Sequence, residues 1–152
     1  MTSEQLPLPF DEPFSANDQP ELWTPRDIWV RFNAQMILHF LEDRRIDYKS
    51  GVKVSFDDLA TYQSAFSNTP DGGIVCFGVN DDGSLRGCKR LEQRILNEIE
   101  KIHLQRCPGS RPELKRIPVI IEGEDDFLLL MYVPYVGRLV ETNKGEAWIR
   151  YG

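Results

Sequence analysis

The run from Ala65 to Gly83 confines the fold more than any other part of this chain. It compresses a helix end, a glycine turn, a covered strand and an acidic turn into nineteen residues. Asn68-Thr69 closes an amphipathic helix, and Gly72-Gly73 supplies the positive backbone angles that other residues resist. Ile74 to Val79 is short and almost wholly apolar, the pattern of a strand covered on both faces. Asn80-Asp81-Asp82-Gly83 follows, with Asp and Gly where a tight hairpin turn wants them. A rigid strand therefore ends in carboxylates.

The flanking segments supply the other elements. Residues 1–22, with Pro7, Pro9, Pro13 and Pro20 among acids and polar side chains, read as a flexible or surface-draped lead to a domain over 23–152. Thr24-Pro25 is an N-cap followed by a first-turn proline, and Ile28, Phe32, Met36, Phe40 and Leu41 recur at helical spacing to about residue 42. A strand is expected near Arg45 to Lys49. Ser55 caps a second helix that turns Leu59, Tyr62 and Phe66 inward, and Leu91 to Leu104 makes a third with Ile95, Ile99 and Ile102 on one face. Lys115 to Ile121 and Phe127 to Val133 pair across the acidic turn Glu122 to Asp126. Leu139 to Glu141 and Ala147 to Tyr151 are expected as a last hairpin around Asn143-Lys144-Gly145. The sum is an α+β domain, a mixed sheet with flanking helices and late β-hairpins.

Composition bounds the function classes. The chain has 152 residues, 41% of them hydrophobic, enough for one domain with a real core. It has no apolar run long enough to span a bilayer and no basic-then-apolar leader, so a cytoplasmic location and no membrane partner are expected. Cys76, Cys88 and Cys107 fit reduced thiols better than a disulfide framework. The net charge of −6 runs against a polyanion partner, because phosphate neutralisation dominates such affinities. The charge is uneven, however: residues 11–27 and 122–126 are acid-rich, whereas Arg44, Arg45, Lys49, Lys53, Arg86, Lys89, Arg90 and Arg94 cluster around the central motif. The glycines lack the Walker spacing and its Gly-Lys-Ser/Thr, which argues against a P-loop.

The central motif resembles the Schlafen AlbA-like domain, also called the divergent AlbA family. The resemblance rests on Ile46-Asp47-Tyr48-Lys49 as the strand opening and Ala65-Phe66-Ser67-Asn68-Thr69 as the helix end. It continues through Gly72-Gly73, Phe77-Gly78-Val79-Asn80-Asp81-Asp82-Gly83 and the return Leu85-Arg86-Gly87-Cys88. Ala147-Trp148-Ile149-Arg150-Tyr151-Gly152 is similar to the family's terminal aromatic-Ile-Arg-x-Gly strand, and the likeness covers residues from about 40 to 152. Bacterial relatives of this kind often carry ATPase-like or winged-helix regions after the domain and are commonly described as transcriptional regulators or ATP-binding proteins. The chain is accordingly expected to be either an excised domain or a small stand-alone member.

Three acids carry the chemical question. Glu42 and Asp47 lie five apart across a helix-to-strand junction, and Asp81 sits at the end of the central strand. If the strands of Asp47 and Asp81 are neighbours, three carboxylates meet at one rim, the kind of oxygen set a hard divalent cation takes. Asp81-Asp82-Gly83 also makes a good turn with no metal at all. The resemblance to ribonuclease Schlafen proteins implies a Glu-x-x-x-x-Glu pair and the second Asp of Gly-Val-Asp-Asp, which fall here on Glu42, Asp47 and Asp81 as catalytic and magnesium- or manganese-binding residues. Asp stands where that pattern has its second Glu, and Asn80 where it has its first turn Asp. The resemblance likewise implies Lys49 as a phosphate partner, and it gives Arg150 two roles, binding phosphate or pairing with an acid at the core edge. Lys53, Arg86 and Lys89 complete the candidate phosphate-binding set.

His103 and Cys107, four apart, would be half a zinc site, but the segment 133–137 has no cysteine to complete it, and no zinc is expected. Two functional readings stand side by side. One is a metal-dependent endoribonuclease acting on structured RNA such as transfer RNA. The other is a non-catalytic DNA-, RNA- or nucleotide-binding module of a larger protein. The resemblance also implies partnership with a second copy or with downstream domains, because Schlafen-type cores are built from paired lobes.

Overall fold

A computed structural model describes residues 19–33, 35–36, 40 and 42–150. The acidic lead over residues 1–18, His39, Leu41 and the terminal Tyr151-Gly152 lie outside the described residues. The element order is α1 (Pro25–Arg31), β1 (Ile46–Lys49), α2 (Phe56–Ser67), β2 (Gly73–Phe77), α3 (Gln93–Arg106), β3 (Glu113–Ile121) and β4 (Glu124–Val133), with a 3-10 turn over Pro20–Leu22 ahead of them. The sheet order is β1-β2-β4-β3: β1 runs parallel to β2, and β4 is antiparallel to both β2 and β3. This is the mixed α+β architecture expected from the sequence.

Helices cover both faces of the sheet. On one face α1 and the segments before and after it place Trp23, Ile28, Phe32, Met36 and Phe40 against Ile46, Ile74, Cys76, Leu128 and Leu130. On the other, α2 and α3 place Leu59, Phe66, Leu96, Ile99 and Ile102 against Val75, Phe77, Leu129, Met131 and Val133. Alternation along β2 sends Ile74 and Cys76 to the first core and Val75 and Phe77 to the second, so every residue of that strand is buried. The apolar run Ile74 to Phe77 is therefore the middle of a three-layer domain.

Helix starts follow their local chemistry. Thr24 accepts from the Asp27 amide while the Thr24 amide donates to the Asp27 carboxylate, a reciprocal cap with Pro25 at the first position. Ser55 likewise accepts from the Asp58 amide to start α2. The first helix, however, does not run to residue 42 as its periodicity predicts. It ends at Arg31; Phe32 is extended, and the Asn33 side chain takes the Gln35 amide, offering the backbone an alternative to the next helical turn. Phe32, Met36 and Phe40 still reach the core from the irregular segment.

Two further expectations change. The predicted last hairpin is not a pair of strands. Residues 142–146 form a tight turn, in which the Thr142 amide donates to the Glu146 carbonyl, and the rest of that segment hangs on side chains. Ser64 Oγ accepts from the Trp148 amide, and the Asn68 amide group donates to the Val140 and Trp148 carbonyls while its oxygen accepts from the Val140 amide. The acidic turn between β3 and β4 is also shorter than expected, only Glu122-Gly123, because both strands extend toward it.

The double glycine divides two tasks. Gly72 has φ +72°, in the left-handed region. Gly73 has no such angle and is required by packing, since a Cβ there would lie 1.9 Å from the Phe66 ring, which is itself fully buried. Gly73→Ala is expected to cost about 2 kcal/mol or more by urea denaturation, in the upper part of the overpacking range. Gly83→Ala, whose Cβ meets nothing within 4 Å, carries only the backbone penalty of φ +86°, about 1–2 kcal/mol. A Gly73→Ala loss no larger than that of Gly83→Ala would contradict the packing argument.

Candidate functional site

Asp47 and Lys49 stand two apart on β1, so both point to the face covered by α2, while Ile46 and Tyr48 point to the other. Asp47 is 3% exposed. Lys49 Nζ lies 3.0 Å from its Oδ2, and the Arg150 guanidinium lies 3.7 Å from its Oδ1. Lys49 Nζ also donates to the Tyr62 hydroxyl at 3.2 Å and sits 4.6 Å from that ring's centroid. Burial works against the Lys49 charge, but its bonds to Asp47 and Tyr62 outweigh that and hold its pKa above the usual lysine value.

Arg150 arrives by way of the clasp just described. Its amide donates to Thr69 Oγ1 and its guanidinium donates to the Asp43 carbonyl at 2.8 Å. The same guanidinium lies 5.5 Å from the Tyr62 ring and 5.4 Å from the Phe66 ring. Of the two roles open to Arg150, the geometry has it pairing with the buried acid.

Glu42 approaches from the turn before β1. Its Oε1 accepts from the Tyr48 amide at 3.3 Å, and its side chain lines the same cleft as Asp47. Partial burial first, and the Asp47 charge second, raise the Glu42 pKa. Asp43 beside it behaves oppositely: burial alone would raise it, but a bidentate bond from Arg45 holds it below the usual aspartate value. Arg45 in turn donates to the Pro20 and Trp23 carbonyls, fixing the chain that leads into α1.

Asp81 reaches the same place from β2. The Lys49 carbonyl accepts from the Gly78 and Val79 amides, so the ends of β1 and β2 stay joined past the ladder. A single bridge between Val79 and Leu85, together with the Gly83 amide donating to the Asn80 carbonyl, then turns the chain with Asp81 exposed at its tip. Glu42, Asp47, Lys49, Lys53, Tyr62 and Asp81 all line one cleft of about 400 Å³ at the carboxyl ends of these two parallel strands. The three acids thus share a cleft. Among the described residues, however, no three His, Cys, Asp or Glu side chains are gathered closely enough to hold a metal ion by themselves.

The remaining candidate cations differ in their surroundings. Arg86 and Lys89 line a second cleft of about 640 Å³, which shares the wall Gly51–Val54, and hence Lys53, with the first. Lys89 pairs with Glu124 at 2.8 Å. Sequence reasoning assigned Tyr62 to the core and did not see it as the partner of Lys49; its place four residues before Phe66 carries no signal of that second role. Cys76, Cys88 and Cys107 are buried, and burial pushes the thiols of the last two up to about 11, poor conditions for a nucleophile.

The comparisons agree with this architecture. The family model described as Schlafen, AlbA_2 matches residues 42–152, and the chain belongs to that family. The solved structure of the DIP2311 protein from Corynebacterium diphtheriae is similar with a TM-score of 0.54 and 19% identity, a likeness that shows the fold alone. The match covers 78% of this chain and 27% of that one, so the chain spans about a quarter of its length. None of the curated proteins matches the sequence. No helix among the described residues is long and apolar enough to cross a membrane. Membership of the Schlafen AlbA_2 family suggests a domain concerned with nucleic acid.

Burial and the nearby Asp47 charge give Glu42 a pH dependence. A raised carboxyl pKa stabilises the fold below the unfolded value near 4.5, and the contribution is lost as pH rises through the folded value. Glu42→Gln keeps a neutral, hydrogen-bonding side chain at every pH. Its melting temperature is expected to exceed that of the wild type at pH 7 and to match it near pH 4. A loss of stability at pH 7 would contradict the raised Glu42 pKa.

Proposed function

We propose that this domain binds nucleic acid, with a phosphate of the backbone entering the cleft at the carboxyl ends of β1 and β2. The observation that carries the reading is the convergence of Glu42, Asp47, Asp81 and Lys49 on that cleft. Strand ends of this kind are where α/β sheets present ligands, because loops there converge while the sheet stays rigid. Lys49 is the phosphate-facing cation: its ammonium is half exposed and oriented by Asp47 and Tyr62, so it meets an incoming anion without reorganising. Arg150, bound from behind to Asp47 and the Asp43 carbonyl, keeps the acid in place.

A second reading, metal-dependent endoribonuclease, is favoured by the three acids Glu42, Asp47 and Asp81 lining one cleft. Burial and then the Asp47 charge raise the Glu42 pKa, and a cation beside the two carboxylates would relieve that repulsion. Their oxygen chemistry fits magnesium or manganese, which take one or two carboxylates and complete their shells with water and substrate phosphate. Asp81 stands on the rim of the same cleft, but it is not gathered with the other two closely enough to complete a three-acid set. When bound, such an ion supplies an activated water and charge stabilisation at the phosphodiester. The chain's own part is to hold the phosphate on Lys49 and to keep Asp47 in place between Lys49 and Arg150.

The test uses a labelled transfer RNA pool with purified protein and manganese, comparing the wild type with Lys49→Ala and Asp81→Ala. Lys49→Ala is expected to weaken the gel shift several-fold. Cleavage that requires the metal and disappears in Asp81→Ala supports the nuclease, and shifted but intact RNA leaves the binding module. A wild type that neither shifts nor cuts nucleic acid refutes the proposal.

A further inference from the structure

The cleft that holds Glu42, Asp47 and Asp81 does not stand alone. The loop Gly51–Val54 is a ridge, and on its far side lies the second cleft, bounded by the return after β2, the start of α3 and the β3–β4 turn. The charge on its walls is not as balanced as a count of acids and bases implies. Asp126 is turned into the protein, where its Oδ1 accepts from the Cys88, Lys89 and Phe127 amides. Glu124 is paired with Lys89, and Glu92 with Arg94 at 3.5 Å. Glu122 is left as the one lining acid without such a partner. Opposite it, Lys53, Arg86 and Arg90 are exposed and carry no ion pair or side-chain hydrogen bond among the described residues, although Arg90 lies near enough to Glu124 to help lower its pKa. Three cations without an ion pair thus share the cleft with one such acid.

The floor between them is apolar. Leu85, Leu91, Ile95 and Ile121 are half-buried there, and Val52 stands exposed on the ridge itself. A rim of unpaired cations over an aliphatic floor suits a ligand with anionic links and flat, weakly hydrated faces. Inorganic phosphate would leave the floor uncovered, and a duplex would present only its backbone to a cleft, with its bases stacked away.

We infer that the second cleft is a binding site for single-stranded nucleic acid, and that one strand runs from the acid cleft over the Gly51–Val54 ridge onto Arg86 and Arg90. The inference rests on the reading of the acid cleft as the place where nucleic acid binds. Lys53, at the crest with φ +56° and lining both clefts, meets the phosphate between the two. Leu91 and Ile95 cover the face of the next base, and Arg86 and Arg90 hold the phosphate beyond it. Lys89 is already engaged by Glu124 and contributes less.

The experiment is fluorescence polarisation over a salt series with a labelled single strand of about twelve nucleotides, within the usual site size of such binders. A duplex of the same sequence serves as competitor. The double variant Arg86→Glu/Arg90→Glu is compared with Arg111→Glu/Arg138→Glu, an equal change of charge at exposed residues that line neither cleft. The expected result is a several-fold loss of affinity confined to the first double variant, with the slope of log affinity against log salt reduced by about 1.4, or about 0.7 for each single-strand phosphate contact removed. Equal losses in both double variants, or a duplex that competes as well as the single strand, overturn the inference. A loss in Lys49→Ala with none in Arg86→Glu/Arg90→Glu overturns it while leaving the acid-cleft reading standing. A wild type that binds no strand overturns both.

Discussion

A carboxylate buried at the edge of a sheet organises this domain. Desolvating a charge costs on the order of several kcal/mol, and the structure offsets the cost at Asp47 by bringing two cations to it. Lys49 comes from the same strand face, two residues on, and Arg150 from the far end of the sequence. Tyr62 on α2 accepts from Lys49, and Glu42 lines the same cleft. The C-terminal segment buries little besides Val140 and leaves Leu139, Trp148 and Ile149 largely exposed. Its attachment relies on bonds from Ser64, Asn68 and Thr69, and on the draw of Asp47 for Arg150.

This arrangement joins stability to function. A network that existed only to neutralise Asp47 would have no reason to leave Lys49 half exposed or to open onto a cleft. Here the neutralised acid forms the floor of a cleft whose rim carries Asp81 and Lys53. The parallel pairing of β1 and β2 is the step that makes this happen, because it puts the ends of both strands on one edge of the sheet. An antiparallel pair would send Lys49 and Asp81 to opposite ends. The Schlafen AlbA_2 family is thus represented by a scaffold in which a short parallel pair presents acids and a lysine together.

Much of the fold was legible in the sequence, for definite reasons. The run Ile74 to Phe77 has no polar residue to face solvent, so it had to lie between two layers. Ser55 and Thr24 mark helix starts because their side chains satisfy amides that the helix cannot. The convergence of Glu42, Asp47 and Asp81 on one cleft also followed from strand adjacency. Other features were hidden because they depend on competition between local and distant partners. Asn33 stops α1 within an otherwise helical pattern through one side-chain bond. The expected last hairpin fails because Ser64 and Asn68 take the backbone groups that strand pairing would use. The need for glycine at 73 comes from Phe66, seven residues away in sequence and in contact only once folded. The tie between Arg150 and Asp47 is of the same kind: its two ends are separated by most of the domain.

The central claim is that nucleic acid meets this domain at the carboxyl ends of β1 and β2. An amide chemical-shift map of isotope-labelled protein titrated with a short single-stranded oligonucleotide tests it most directly. The account predicts shifts concentrated at Lys49 to Val54 and at Asn80 to Arg90, with the β3 edge at Lys115 to Ile120 undisturbed. Shifts centred on that β3 edge or on the exposed side of α3, with none around Lys49, would contradict it.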